Sequence, residues 1–149
     1  MLSSEAEASW LAGIVDGEGS INSYFRTAIE RQRTGKGSVY GVFLQIANTD
    51  DEIVRKVQSV LEARGIRYSA TLTHKNDIKP RKPLWHIIVN QNASQYKLLL
   101  EIEPYLTGRK RRRASLALQY LKTRLSWGKG NGHQLSEREI NLLRDIQML

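Results

Sequence analysis

The 149-residue chain contains no cysteine, which excludes disulfide frameworks, thiolate-ligated zinc or iron–sulfur sites and thiol catalysis. It has no apolar run near the ~20 residues of a membrane span, and Met1–Ala8 carries Glu5 and Glu7 without a base. Neither an anchor nor a signal peptide is therefore expected. The absence of cysteine fits a reducing intracellular setting, with a prokaryotic cytoplasm favoured over an organelle. No shift of composition marks a second domain, so at roughly 100–200 residues per domain, residues 1–149 are expected to fold as one. Acidic residues are in short supply, with Asp plus Glu numbering 15 against 23 Lys plus Arg, a net charge of +8. No fold requires that excess, and a polyanionic partner explains it. The 40% hydrophobic and 26% charged content permits an ordinary core and separates the chain from disordered sequences.

The elements follow from caps and periodicity. Ser4-x-x-Glu7 reads as a capping box opening a helix over about Glu5–Asp16. After Gly17 and Gly19 the pattern turns extended, and Ser38–Ile46 supplies a hairpin partner across Arg31–Gly37. Thr49-x-x-Glu52 predicts a second helix with Ile53, Val54, Val57, Val60 and Leu61 on one face, stopped by a left-handed Gly65. Ile66–Thr73 alternates and Leu84–Asn90 is β-rich, giving a second ribbon. Asn92-x-x-Gln95 opens a helix ending before Pro104, a further helix spans about Arg109–Leu125, Gly128–Gly132 breaks the chain, and Ser136-x-x-Glu139 opens the last helix. The order is α, ββ, α, ββ, α, α, α.

Charge sign segregates along this order. Met1–Phe25 holds four acids and no base, whereas Arg64–Lys97 holds seven bases against Asp77 alone. The run Arg109-Lys110-Arg111-Arg112-Arg113 places five cations at a helix start, against the positive end of the dipole and against one another. Such a cluster costs stability unless an anion sits beside it.

Leu11-Ala12-Gly13-Ile14-Val15-Asp16-Gly17-Glu18-Gly19 resembles the signature of the LAGLIDADG homing endonucleases. Five of the nine positions are identical, with conservative exchanges at Ile14, Val15 and Glu18 and a looser one at Gly17. The resemblance implies an α+β, αββαββα fold with an antiparallel DNA-binding sheet and extra C-terminal helices, the order read above. It further implies a site-specific, metal-dependent endonuclease that breaks both strands of a long near-palindromic DNA target and promotes intron homing. The alternative on the same fold is an RNA maturase or a non-cleaving DNA-binding regulator. A more distant alternative, a basic ribonucleoprotein component, has no RNA-binding motif to support it.

Physical reasons accompany the motif. Ser9, Gly13 and Gly17 recur every four residues, so one stripe of the helix is bare and admits a second helix closely. One motif per chain places that helix in another copy, giving a C2 homodimer with Ser9, Ala12, Gly13, Asp16 and Gly17 as expected interface residues. Two symmetry-related copies of Glu18 near the axis repel unless divalent cations lie between them, and oxygen-only ligation suits Mg²⁺ or Mn²⁺. By resemblance, Glu18 and the carbonyl of Gly19 are the metal ligands, Asn48 positions the nucleophilic water, and a cation after Pro104-Tyr105-Leu106 stabilises the cleaved phosphate. Lys110 is the first choice for that cation and Arg109 the alternative. No small-molecule cofactor is expected.

A curved sheet with one polar, basic face suits the major groove of double-stranded DNA. Strand parity selects Asn22, Tyr24 and Arg26, then Gln45, then Arg67, Ser69, Thr71 and Thr73, with His86 on the fourth strand, as base-reading candidates. Arg31, Arg33 and Lys36 at one hairpin, Lys75, Lys79, Arg81 and Lys82 at the other, and Arg111, Arg112 and Arg113 complete the expected DNA contacts. Trp85, Ile87 and Val89 are expected in the core, and Trp10 and Trp127 are expected to pack rather than stack on bases.

Overall fold

The computed structural model describes residues 3–26, 39–73, 82–127 and 135–149. Helix α1 (Ser4–Glu18) leads into strands β1 (Gly19–Arg26) and β2 (Val39–Asn48), helix α2 (Asp51–Ala63), strands β3 (Ser69–Thr73) and β4 (Leu84–Val89), and helix α3 (Asn92–Ile102). A 3-10 turn (Glu103–Tyr105) joins α3 to α4 (Gly108–Ser126), and α5 (Glu137–Met148) follows. The four strands form one antiparallel sheet in the order β1-β2-β4-β3. This is the expected αββαββα arrangement with two further C-terminal helices. Both hairpin connections and the Gly128–Gly132 segment lie outside the described residues, and with them Arg31, Arg33, Lys36, Lys75, Lys79 and Arg81.

The core lies between one sheet face and the helices. Ile21 of β1, Val42, Leu44 and Ile46 of β2, and Ile87 and Val89 of β4 meet Leu11, Ala12 and Val15 of α1 together with Leu98, Leu99 and Ile102 of α3. Trp85, expected in that core, is only half-buried, and its indole N–H donates to Asp51 at 2.9 Å. Buried Gln95 donates from Nε2 to the carbonyl of Val42 at 2.8 Å, satisfying a polar group and fixing α3 on β2. Arg64, its side chain 9% exposed, joins three helices by ion pairs to Glu101 (2.8 Å) and Glu7 (3.3 Å) and a bond to the carbonyl of Ser4. Lys56 lies 4.1 Å from the Trp10 ring centroid, so Trp10 packs. Trp127 is 45% exposed, less packed than expected.

Helix starts shift by one residue from three of the four expected caps. Ser3, not Ser4, caps α1 by accepting from Ala6 N–H, and Asp50, not Thr49, caps α2 by accepting from Glu52 and Ile53 N–H. Gln91 stands at the cap of α3 without a side-chain bond, whereas Ser136 and Glu139 form the full reciprocal box expected for α5. Gly65 has φ +67° as required of a left-handed stop. Strand β3 begins at Ser69 rather than Ile66, because Ile66 is buried under the sheet, Arg67 N–H donates to Ser94 Oγ and Tyr68 donates to Glu62.

Candidate active site and nucleic-acid interface

Helix α1 runs two residues past the expected Asp16 and ends at Glu18. Its end is closed by neighbours, since Val15 O accepts from Gly19 N–H and from Lys110 Nζ (2.9 Å), and Lys110 Nζ also donates to Asp16 O (2.5 Å). The Asp16 carboxylate accepts from Thr107 N–H (3.3 Å) and Thr107 Oγ1 (3.0 Å), tying this helix end to the start of α4. Gly19 allows the strand to begin this close to the helix: a Cβ there would sit 2.8 Å from Val15 Cα. Glu18 itself is exposed, and among the described residues it makes no hydrogen bond or ion pair. A carboxylate at the negative end of a helix dipole is unfavourable by about 0.3–1 kcal/mol, so its position serves something other than the stability of this chain.

The small stripe faces outward. Ser9, Gly13 and Gly17 are exposed, and a Cβ built on Gly13 or Gly17 meets nothing within 4 Å. The chain's own sheet therefore does not use the bare stripe. Ala12 is different: it is fully buried in the chain's own core and cannot belong to an outer surface, a correction that follows from its lying toward Leu11 and Val15 on the helix wheel. Asp16 is half-buried and occupied by Thr107.

The five-cation run does not make one basic face. At 100° per residue, successive side chains fan around the helix. Arg109 and Lys110 line a pocket of about 490 Å³ with Ser20, Ile21 and Arg113, beside the turn that carries Glu18. Arg109 is exposed and unpaired among the described residues, whereas the Lys110 ammonium is taken up by the end of α1. Arg111 pairs with Glu103 at 3.2 Å, and Arg112 lines a groove with Asp145 and Met148 between α4 and α5. Arg113 turns inward, donating to Ile21 O (3.2 Å), Asn22 Oδ1 (3.1 Å) and Leu149 O, so it braces β1 and is not offered to a partner. The expectation that all three arginines meet DNA is corrected for Arg113 by these bonds. Asn48 shares the parity of buried Ile46, and its Oδ1 accepts from Asp50 N–H at 2.7 Å, so its amide oxygen is engaged in the turn before α2.

The register places the base-reading candidates together. Ser20 opposes Gln45, Asn22 opposes Phe43 and Tyr24 opposes Gly41; Ala47 opposes His86, which opposes Thr71, flanked by the pairs Ser69–Ile88 and Thr73–Leu84. Directly opposed residues share a face, so Asn22, Tyr24, Arg26, Gln45, Ser69, Thr71, Thr73 and His86 all lie on the face opposite the core. Gln45 Nε2 and His86 Nδ1 are 2.7 Å apart across β2 and β4, and Asn22 donates to Ser20 Oγ at 3.0 Å. Arg67 precedes β3 and is exposed, and Lys82 is exposed before β4.

The model of the LAGLIDADG-like domain matches residues 5–103, which span α1 to the end of α3 and two-thirds of the chain. The chain belongs to the LAGLIDADG family. No curated protein matches it in sequence. Among solved structures, it is similar to the homing endonuclease I-CvuI in complex with its target in the presence of Ca, at 19% identity, covering 97% of this chain and 96% of that one with a TM-score of 0.60. It is also similar to the homing endonuclease I-TnaI, at 15% identity over 95% of this chain and 85% of that one, TM-score 0.60. Meganuclease I-SmaMI bound to uncleavable DNA gives 18% identity and a TM-score of 0.62 over 95% of this chain, but only 43% of that longer one. At these identities the likeness establishes the LAGLIDADG homing-endonuclease fold.

Within this LAGLIDADG frame, sequence reasoning missed two contributors. Phe43 shares the sheet's outer face with Asn22 and Tyr24; strand parity with Gln45 was the available signal, masked by its being apolar. Thr107, which holds Asp16, carries no signal in the sequence, because the contact joins residues 91 positions apart.

Proposed function

We propose that two copies of this LAGLIDADG chain bind a long, near-palindromic DNA site and hydrolyse both strands in a reaction dependent on Mg²⁺ or Mn²⁺, in the service of intron homing. The observation that carries this reading is Glu18, exposed and unpaired among the described residues, at the end of a helix whose bare stripe Ser9–Gly13–Gly17 faces outward. A second helix laid on that stripe brings its own Glu18 alongside the first.

The donor set fits a hard divalent cation. Glu18 supplies a carboxylate and Gly19 a carbonyl oxygen, both suited to oxygen-seeking ions. Among the described residues no group of three or more His, Asp or Glu side chains is placed to hold a metal within one chain; in the proposed dimer the partner's carboxylate and DNA phosphate oxygens would complete the set. A cation held there would supply activation of water and stabilisation of the leaving oxygen. The chain's own residues bind and orient. Arg109, facing the pocket beside Ser20, neutralises the phosphate being cut. Lys110 and Thr107 hold the helix end so that Glu18 stays in place. In each strand one P–O ester bond breaks, water giving its oxygen to phosphorus and a proton to the leaving oxygen. The outer sheet face reads bases through Asn22, Gln45, His86 and the β3 residues, and the exposed cations neutralise backbone phosphates, making affinity fall with salt.

The test exposes the protein to a randomised near-palindromic duplex library with Mg²⁺, Ca²⁺ or EDTA and sequences any cut ends, for wild type and Glu18→Gln. Discrete double-strand breaks with wild type and Mg²⁺, abolished in Glu18→Gln while binding persists, are expected. Retention of DNA or RNA without breaks moves the assignment to a regulator or maturase, and cutting by Glu18→Gln at the normal rate removes Glu18 as the metal ligand.

A further inference from the structure

Two aromatic side chains stand on the sheet face that the proposed function turns toward DNA. Tyr24 is 40% exposed and its ring lies flat across Gly41: a Cβ on Gly41 would come within 2.6 Å of the Tyr24 hydroxyl and 2.8 Å of its Cζ. Phe43 stands beside it, the two ring centroids 6.3 Å apart and tilted by 43°. The register places both opposite the core, so neither is turned into the apolar interior that buries Ile21 and Leu44. The rest of the same face is mixed, with Gln45, His86, Ser69, Thr71 and Thr73 interleaved with the aliphatic Ala47, Ile88 and Leu84, and among the described residues it carries no further Phe, Tyr or Trp. Gly41 thus makes room for a ring held flat, which has lost its freedom before any partner arrives.

We propose that Tyr24 and Phe43 form an apolar reading surface for the 5-methyl groups of thymine, set at the β1–β2 side of the sheet's outer face. The thymine methyl is the apolar group that base edges present in the major groove, and a flat hydrocarbon surface is its complement. The inference rests on the DNA-reading function above and deepens it. Counted from Glu18, Asn22 and its partner Phe43 lie four residues along β1 and Tyr24 six; at about 3.3 Å per residue this is roughly 13 and 20 Å. With a base-pair rise of about 3.4 Å, the surface meets base pairs about four to six steps from where Glu18 acts. Uracil lacks the methyl, so the same surface favours DNA over RNA and thymine over cytosine.

The test uses the full chain in Ca²⁺ and two randomised duplex libraries, one containing thymine and one with deoxyuridine throughout in its place, and compares position-by-position enrichment in the retained duplexes. Thymine is expected to be enriched about four to six steps from the centre, and replacing it by deoxyuridine should reduce that enrichment about fourfold per methyl, from ~0.8 kcal/mol per buried carbon group. Tyr24→Ser and Phe43→Ser should lose the enrichment in the thymine library at these steps alone. If either variant fails to fold, the wild-type comparison between the two libraries decides. Enrichment that survives removal of the methyl, or the absence of thymine preference at these steps in an otherwise defined site, overturns the methyl surface and leaves the DNA function standing. Retention of no duplex at all overturns both.

Discussion

Lys110 and Arg109 adjoin in sequence and are expected to fail in opposite ways. Lys110→Met removes two charge-assisted hydrogen bonds, at 2.9 and 2.5 Å, from the carbonyls that end α1. Bonds to charged groups contribute about 1.5–3 kcal/mol each. Lys110 is only half-buried and water replaces part of what is lost, so we expect a destabilisation of about 2 kcal/mol for the pair. For a chain of this size that is about 6–8 °C in melting temperature. Arg109→Met alters an exposed side chain with no described partner and should change stability by less than about 0.5 kcal/mol. In the proposed cleavage reaction the order reverses, because Arg109 faces the pocket assigned to the cut phosphate: its loss should slow cutting by roughly 100-fold. Thermal unfolding followed by circular dichroism, alongside single-turnover cleavage well below both melting points, separates the two effects. A Lys110→Met protein melting within about 2 °C of wild type would refute the account of the helix end. An Arg109→Met protein that cuts at the wild-type rate would refute the division of labour.

Gly13→Leu has open space within its own chain and a helix propensity better by up to about 0.8 kcal/mol, so the fold should survive while the proposed dimer, assayed by sedimentation, should be lost; a variant as fully dimeric as the wild type rejects the stripe as the contact. Gly19→Ala drives a Cβ to 2.8 Å from the Val15 backbone and should cost about 1–3 kcal/mol in urea unfolding, an expectation that an unchanged midpoint would contradict. Burial, then the Glu62 carboxylate it donates to, push the Tyr68 hydroxyl up to about 12 from 10. The folded pKa is the higher one, so this contribution is complete below about pH 10 and is lost as pH climbs towards 12. Stability of the wild type should fall across that window, and less steeply in Tyr68→Phe; identical slopes would show the bond to be irrelevant.

Much of this was legible in the chain because it depends on local rules. The i, i+4 spacing of Ser9, Gly13 and Gly17 marks a bare helix stripe wherever the helix is put, and β-strand parity sorts Asn22, Tyr24, Gln45, Thr71 and His86 onto one face as long as the strands are right. Cap positions are less determinate. Ser3 stands beside Ser4 and Asp50 beside Thr49, each neighbour offering an equivalent oxygen, and the starts observed use Ser3 and Asp50. Ser136, followed by Glu139 at the right spacing, forms the box as read. The basic run shows the limit most clearly. Five adjacent cations read as one charge in sequence, yet Glu103, the end of α1 and the carbonyl of Ile21 each claim one of them, and all of those partners arrive by tertiary folding. Asn48 is a different case, since its partner is the Asp50 N–H two residues on, and its role depends on whether its amide oxygen reaches solvent or that local turn.

The bond between Gln45 and His86 bears on how a target preference can change over generations. Each side chain holds the other in one orientation across the central pair of strands, so exchanging either one leaves a freed polar group as well as a new side chain at the groove. Asn22 is held likewise, between Ser20 and Arg113. If the proposed function holds, a lineage of such chains following a drifting DNA site would move by paired substitutions: the first would loosen recognition and the second restore it for a different base. Intermediates along that route would be broad-specificity binders, whereas at Tyr24, which rests on a glycine, a single change would suffice.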